Sequence, residues 1–144
     1  MELTSKTQDK AVRAAIANDC VQLIDRQVSA KGGLSGMALK TAYKVVNSIS
    51  SDYVGGALMR LMPETLSSLD PIWEEGVQAG DPVVHLSENS DRTADAILAT
   101  TDARIARSGQ GVVSATYKRL RKSVKSDVVA AVPGLAAILQ KNIT

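Results

Sequence analysis

Apolar residues recur along this chain mostly at the three- and four-residue spacing of amphipathic helices. The first apolar stripe covers residues 7–30 and ends at a Lys-Gly-Gly sequence, where glycine can adopt the left-handed conformation that closes a helix. A second helix is predicted over residues 36–49, with Leu39, Tyr43 and Val46 facing inward. Nowhere does polar–apolar alternation with a period of two persist together with β-branched residues, so the pattern predicts an all-α protein.

Prolines and aspartates in the middle of the chain predict several helix boundaries. Asp70-Pro71 and Asp81-Pro82 each predict a helix start, because aspartate accepts hydrogen bonds from free backbone N–H groups and proline suits the first helical position. Pro63 lies within an apolar stripe and predicts a break or kink just before it. These predicted starts and breaks favour short helices.

The C-terminal part of the chain predicts three further helices. Residues 91–107 form a strong amphipathic pattern that ends at Ser108-Gly109, and residues 112–124 form another. Ser126-Asp127 is expected to cap the last helix, which bends or breaks at Pro133-Gly134. Together the elements predict a compact all-α bundle of six to eight short helices.

The composition agrees with one such domain over residues 1–144. Hydrophobic residues make up 44% and charged residues 22%, close to ordinary globular usage, whereas aromatic residues make up only 3% and phenylalanine is absent. The core must therefore consist mainly of aliphatic side chains, which suit packed helices. Cys20 is the only cysteine, which excludes an intrachain disulfide and a thiolate zinc cluster, and its place in an apolar stripe predicts a buried, inert thiol.

Two parts of the sequence suggest an internal duplication. AYKVVNSISSDYV at residues 42–54 and TYKRLRKSVKSDVV at residues 116–129 both contain Tyr-Lys, Ser, Ser-Asp and Val in that order. With the preceding helices included, three aligned blocks give nine identities in 33 positions, where chance would give roughly two. One explanation is the capping and apolar spacing that all helical proteins share. The other is a pair of related halves, about 8–80 and 90–142, packed with pseudo-twofold symmetry.

Several stretches resemble a known family. They are AKGGLSG (30–36), YKVV (43–46), LDPIWEE (69–75), ADAILATTDARIAR (94–107) and TYKRLRKS (116–123). Over nearly the whole chain the sequence is similar to an uncharacterised family of small soluble bacterial helical proteins of unknown function. The resemblance implies a bacterial helical protein and carries over no catalytic residues.

The net charge of +2 is concentrated in the segment YKRLRKSVK, residues 117–125. On a helix its cations share one broad face, and apolar residues occupy the opposite face. The basic face could bind nucleic acid, anionic lipid headgroups or an acidic partner, or it could be a solvated surface balanced by neighbouring carboxylates. The candidate anion-binding residues are Lys118, Arg119, Arg121, Lys122 and Lys125.

The sequence contains no catalytic motif, metal-ligand spacing or cofactor fingerprint, so no cofactor is expected. His85 is the only histidine and is interpreted as a surface or capping residue. We therefore expect a non-enzymatic interaction or structural protein that self-associates as a homodimer or another homo-oligomer. The predicted interface is an apolar face that includes Leu66, Leu69 and Trp73.

Two further expectations concern chemistry and location. If the protein were an enzyme, the only candidates for polar active-site residues would be Asp25, Tyr43, Asp102 and Tyr117. No stretch approaches the about 20 apolar residues of a transmembrane helix, and the N-terminus lacks the apolar run of a signal peptide. No transmembrane segment and a cytoplasmic location are expected.

Overall fold

A computed structural model describes residues 2–108 and 111–144, apart from the side chain of Ser108; Gly109, the predicted end of a helix, lies outside the described residues. Over the described ranges the chain forms seven helices and no strand, which confirms the all-α prediction and its count of six to eight helices. They are α1 (Glu2–Lys6), α2 (Lys10–Ala30), α3 (Gly33–Asn47), α4 (Tyr53–Ala79), α5 (Pro82–Glu88), α6 (Ser90–Ser108) and α7 (Gly111–Ile143).

The core lies between the four longest helices. α2 packs against α7, α4 packs against α6, and α1 and α5 pack on α4. The largest fully buried side chain is Trp73, and nearly all the other buried apolar residues are Leu, Ile, Val, Met or Ala. An aliphatic core is what the absence of phenylalanine predicts. Cys20 is buried within it, as expected.

α2 ends at Ala30, as the sequence predicts, but it begins at Lys10, three residues later than predicted. The carboxylate of Asp9 accepts a 2.7 Å hydrogen bond from the backbone N–H of Ala11 and caps α2. The prediction that a left-handed glycine closes α2 is wrong: Lys31, which follows Ala30, is extended, and the left-handed Gly33, with a φ of 72°, is the first residue of α3. The predicted cap at Asp81 is confirmed, because its carboxylate accepts a hydrogen bond from Val84 N–H at the start of α5.

Asp70 does not begin a helix, contrary to the sequence prediction. It lies in the interior of α4 and is buried, and its two carboxylate oxygens accept hydrogen bonds from the backbone N–H groups of Leu3 and Thr4. Asp70 therefore caps α1, a helix that the sequence did not predict. A side chain 67 residues away in the sequence supplies this cap, so local pattern reading could not identify it.

The predicted interruptions at prolines are also wrong. α4 runs for 27 residues through Pro63 and Pro71, and α7 runs for 33 residues through Pro133. All three proline side chains are exposed. A proline on the solvent side of a helix costs less than one in the core, because water can bind the carbonyl that loses its partner.

Ser126 and Asp127 likewise lie inside α7 and do not cap a separate helix. The carboxylate of Asp127 instead forms an ion pair with Lys31, with a separation of 2.8 Å between nitrogen and oxygen. The partner stretch in the first half, around Asp52, does separate two helices, α3 and α4. The two stretches that the sequence aligns therefore differ in local structure at this point.

α7 is the one helix within the described ranges that is long and apolar enough, by length and composition, to cross a membrane. Its mean hydropathy over the best 18 residues is 1.2. Core helices of bundles meet the same criterion, and α7 packs here against α2, α5 and α6.

Candidate functional site

The basic segment of α7 is divided between two environments, and Arg121 faces α6. Its guanidinium forms hydrogen bonds of 2.9 and 3.0 Å with the two carboxylate oxygens of Asp102. The hydroxyl of Tyr117 donates a 2.6 Å hydrogen bond to the same carboxylate. Hydrogen bonding from Arg121 lowers the pKa of Asp102, whereas desolvation and the hydrogen bond to Asp102 raise the pKa of Tyr117.

Lys125 also faces α6. Its Nζ lies 3.0 Å from a carboxylate oxygen of Asp95 and 3.4 Å from one of Asp91. The hydrogen bond with Asp95 is the main reason that the pKa of Lys125 is raised. Any external anion would have to compete with carboxylates of α6 for Arg121 and Lys125, so we do not include these two residues in the surface defined below.

Lys118, Arg119 and Lys122 are in a different environment. All three are exposed, and none has an ion pair among the residues that the structure describes. At 100° per residue they occupy an arc of about 100° on α7. Three of the five predicted anion-binding residues therefore form a free basic surface.

α3, which packs beside this surface, has apolar residues on two opposite faces. Leu39 and Val46 are partly buried on the inner face, as predicted. On the outer face Leu34 is 86% exposed and Met37 is 65% exposed, and Val45 is exposed beside them. The sequence interpretation assigned only one face of α3 and missed the second, although the two apolar stripes are visible in the helical spacing.

Negative charge is absent from this side of both helices. α3 contains no Asp or Glu, and the sequence of α7 contains none before Asp127. Lys40 and Lys44 are exposed on α3 and fall within about 60° of Met37 at 100° per residue. The apolar outer stripe of α3 is therefore bordered by positive charge.

A cleft of about 280 Å³ joins the two helices. Its lining brings Met37 and Val45 of α3 together with Arg119 of α7. Val112, also exposed, lies one turn before the lining residue Thr116. We call the combined surface the α3–α7 face. Its members are Leu34, Met37, Lys40, Lys44, Val45, Val112 and Arg119, together with Lys122 and Lys118, which lie about 60° and 100° around the exposed side of α7 from Arg119 and outside the cleft.

The three residues predicted as a self-association interface lie in the core. Leu66 is 3% exposed, and Leu69 and Trp73 are each 1% exposed. They belong to the cluster of buried side chains that joins α4 to its neighbours. In the folded bundle they present no surface to a second copy, so self-association of the folded chain would have to use other residues.

His85 takes part in an ion-pair cluster that links α4, α5 and α6. Its Nε2 lies 3.1 Å from Glu75, and Arg92 donates hydrogen bonds of 2.7 and 2.8 Å to the two carboxylate oxygens of Glu75. The contacts with Arg92, followed by the contact with His85, lower the pKa of Glu75 to about 2. The cluster connects three helices at the surface, which gives His85 a structural role.

The chain belongs to DUF6918, a family of unknown function, whose model matches residues 3–143. The resemblance of the sequence to an uncharacterised family is thereby confirmed. No curated protein and no solved structure matches the chain.

Proposed function

We propose that this DUF6918 member binds anionic membrane surfaces through the α3–α7 face. One observation carries the proposal: the exposed apolar side chain of Met37 lines a cleft together with Arg119, an exposed cation that has no carboxylate partner among the described residues, and Leu34 is exposed on the same side of α3. Peripheral proteins use this combination, because apolar side chains enter the boundary between headgroups and acyl chains while Lys and Arg contact lipid phosphates.

A nucleic acid explains this surface less well. Phosphate contacts would account for Lys118, Arg119 and Lys122, but they would leave the exposed Leu34 and Met37 without a partner. The face also offers no aromatic side chain on which a base could stack. An anionic bilayer uses both the charge and the apolar stripe.

A second copy of the chain is also a poor partner for this face. Twofold-symmetric association places the same patch of each copy against the other. Five cations from each copy would then meet across one interface with no carboxylate from α3 or the first part of α7 to balance them. Repulsion of this kind favours an anionic partner over self-association.

The expected strength of binding follows from the charge count. Each Lys or Arg close to an anionic membrane contributes about 1 kcal/mol, and this attraction falls off within a Debye length of about 10 Å at 0.1 M salt. Replacing three of the cations by Glu should therefore weaken binding about 100-fold or more. Binding should also weaken steeply as salt is added.

The proposal is tested by cosedimentation with vesicles of phosphatidylcholine containing phosphatidylglycerol, compared with phosphatidylcholine alone. The test variant is Lys118→Glu/Arg119→Glu/Lys122→Glu. The matched control, Lys10→Glu/Arg26→Glu/Lys141→Glu, makes the same change in net charge at exposed positions outside the α3–α7 face. We expect binding to anionic vesicles that the test variant loses and the control variant keeps. Equal binding by both variants would overturn the proposal.

A second variant separates a membrane from a nucleic acid. Leu34→Ser/Met37→Ser removes the apolar stripe without changing the charge, so it should weaken binding to anionic vesicles. If the wild-type chain binds duplex DNA or RNA better than vesicles, and this double variant binds nucleic acid equally well, the surface is a nucleic-acid interface and the membrane proposal is wrong.

A further inference from the structure

A cavity of about 360 Å³, partly open to solvent, lies between the helices of the bundle and is separate from the α3–α7 cleft. Its walls come from α2, α4 and α7, with smaller contributions from α6 and from Leu39 of α3. Leu, Ile, Val, Met and Ala side chains make up most of the lining, and no aromatic residue is among them. A volume of this size falls within the range of about 300–1,000 Å³ that is typical of small-molecule sites.

The chemistry of the lining favours an aliphatic ligand. Apolar cavities of about 150 Å³ already stay free of water and take up small apolar molecules. Without a Phe, Tyr or Trp in the wall, an aromatic ligand has no ring to stack against. A flexible hydrocarbon, in contrast, gains by burial against any aliphatic surface.

The dimensions of the cavity favour one slender chain. On α2 the lining residues run from Ile16 to Val28, which is about 18 Å at 1.5 Å per residue. On α7 they run from Val124 to Leu139, about 22 Å. A helix about 10 Å across and equally long would need roughly 1,000 Å³ or more, so the cavity cannot enclose a helix from a partner.

Thr65 and Thr101 also line the cavity, but its amide and charged side chains lie at one end. Gln27 and Asp127 both line it there, and Asp127 forms its ion pair with Lys31 at this position. At the opposite end Ile16 and Leu139 are both buried and apolar. A ligand with one polar end and one apolar end matches this asymmetry.

We infer that the cavity binds one unbranched alkyl chain of a single-chain amphiphile, such as a fatty acid, with its polar head at the Lys31–Asp127 end, where a carboxylate head shares Lys31 with Asp127 and the Gln27 amide offers a further donor. The inference goes beyond membrane binding, because the ligand lies between α2, α4 and α7 and does not touch the α3–α7 face. Ala131 lines the middle of the cavity, between the head end and the tail end.

The test is calorimetric titration of the whole chain with saturated fatty acids of eight, ten and twelve carbons, below the concentrations at which they form micelles. Each additional methylene should strengthen binding about fourfold, which corresponds to about 0.8 kcal/mol per buried methylene. Binding that is independent of chain length, or no binding of dodecanoate, would overturn the inference.

A matched pair of variants locates the ligand. Ala131→Phe fills the middle of the cavity and should weaken dodecanoate binding at least tenfold. Ala130→Phe makes the same change at the preceding residue of α7, which is exposed, and should leave the affinity for dodecanoate unchanged. Equal affinities for the two variants, both folded by circular dichroism, would place the ligand elsewhere and contradict the inference.

Cys20 provides a second measurement that needs no substitution. It lines the cavity, and burial raises the pKa of its thiol to about 11. A neutral disulfide reagent should modify Cys20 slowly, and saturating dodecanoate should slow the reaction at least another tenfold. An unchanged rate would show that the chain does not occupy the cavity.

The outcome is independent of the membrane test. Lys118→Glu/Arg119→Glu/Lys122→Glu should bind dodecanoate as the wild-type chain does, even though it is expected to lose vesicle binding. Loss of dodecanoate binding in this folded variant would place the fatty acid on the α3–α7 face and overturn the inference.

Discussion

Tyr117 donates a 2.6 Å hydrogen bond from its hydroxyl to the carboxylate of Asp102, and this contact ties α7 to α6. In the first half of the chain Tyr43 donates a hydrogen bond to Asp25, which ties α3 to α2. The sequence alignment equates Tyr43 with Tyr117 and Asp25 with Asp102. The same contact therefore recurs at aligned positions of the two halves.

The packing of the long helices supports the same relationship. If α2 corresponds to α6, and α4 to the second part of α7, a twofold exchange of the halves converts the α2–α7 contact into the α6–α4 contact. Both contacts are among the most extensive in the bundle. We propose on this basis that the fold arose by duplication, and that fusion of two helices into α7 distinguishes the second copy.

The paired tyrosines should contribute unequally to stability. Tyr117→Phe removes a hydrogen bond to a partly exposed carboxylate and should reduce the free energy of unfolding by about 1 kcal/mol. Tyr43→Phe should have a smaller effect, because its hydrogen bond is exposed. Urea denaturation measures both effects. In an Asp102→Ala background the cost of Tyr117→Phe should largely disappear; an unchanged cost would mean that the ring and not the hydroxyl is responsible.

The sequence predicted the fold class and many boundaries, because these depend on neighbouring residues. The cap at Asp81 and the end of α2 at Ala30 follow from local chemistry. Pro63 and Pro71 misled the prediction because a proline disturbs a helix less where water can replace the lost hydrogen bond, and both prolines are exposed. Their solvent-facing positions could have been derived from the apolar stripe.

The candidate sites were less accessible from sequence. All five cations of the α7 segment have similar neighbours in the sequence. Only the packing of α6 shows that Arg121 forms an ion pair with Asp102 and that Lys125 forms one with Asp95. The central cavity depends on how several helices meet, and no local pattern encodes that. Leu66 was assigned to an interface because an apolar stripe looks the same whether a core or a partner covers it.

Removing the cap from α1 should release the N-terminus. Asp70→Ala leaves the backbone N–H groups of Leu3 and Thr4 without acceptors in a largely buried position. We expect a loss of about 1–2 kcal/mol in the free energy of unfolding, and faster amide hydrogen exchange confined to α1 and the adjoining part of α4. Exchange in α1 that matches the wild-type rate would contradict the capping role.

Two glycines of α4 should respond in opposite directions to the same substitution. At Gly76 a Cβ atom would lie 2.5 Å from Cα of Pro82, so Gly76→Ala should push α5 away and cost about 1–3 kcal/mol. At Gly55 the nearest atom would be Val21 Cγ2 at 3.8 Å, an ordinary contact, so Gly55→Ala should stabilise the helix by about 0.5–1 kcal/mol. Thermal denaturation measures both, and equal effects would contradict the α4–α5 packing.

Acid should weaken the Glu75 cluster in a defined pH range. The pKa of Glu75 is lowered from its ordinary value of 4.5 to about 2 in the folded chain. Glu75 therefore contributes stability above pH 4.5, and this contribution is lost as the pH falls toward 2. Glu75→Gln should therefore flatten the pH dependence of unfolding between pH 4.5 and 2. Glu74→Gln, at the neighbouring position outside this cluster, is the control. Identical pH profiles for the two variants would show that the ion pairs with Arg92 and His85 do not affect stability.

The most direct test of membrane binding asks whether the tip of the α3–α7 face enters the bilayer. An environment-sensitive nitrobenzoxadiazole dye is attached in a Cys20→Ser background, either through Leu34→Cys or, as the control, through Val84→Cys on α5. With vesicles that contain phosphatidylglycerol, we expect a blue shift and a rise in fluorescence for the dye at position 34, quenched by lipids brominated near the headgroup, and no change at position 84. A dye at position 34 that stays in water while the protein is vesicle-bound, or an equal response at both positions, would contradict membrane binding through the α3–α7 face.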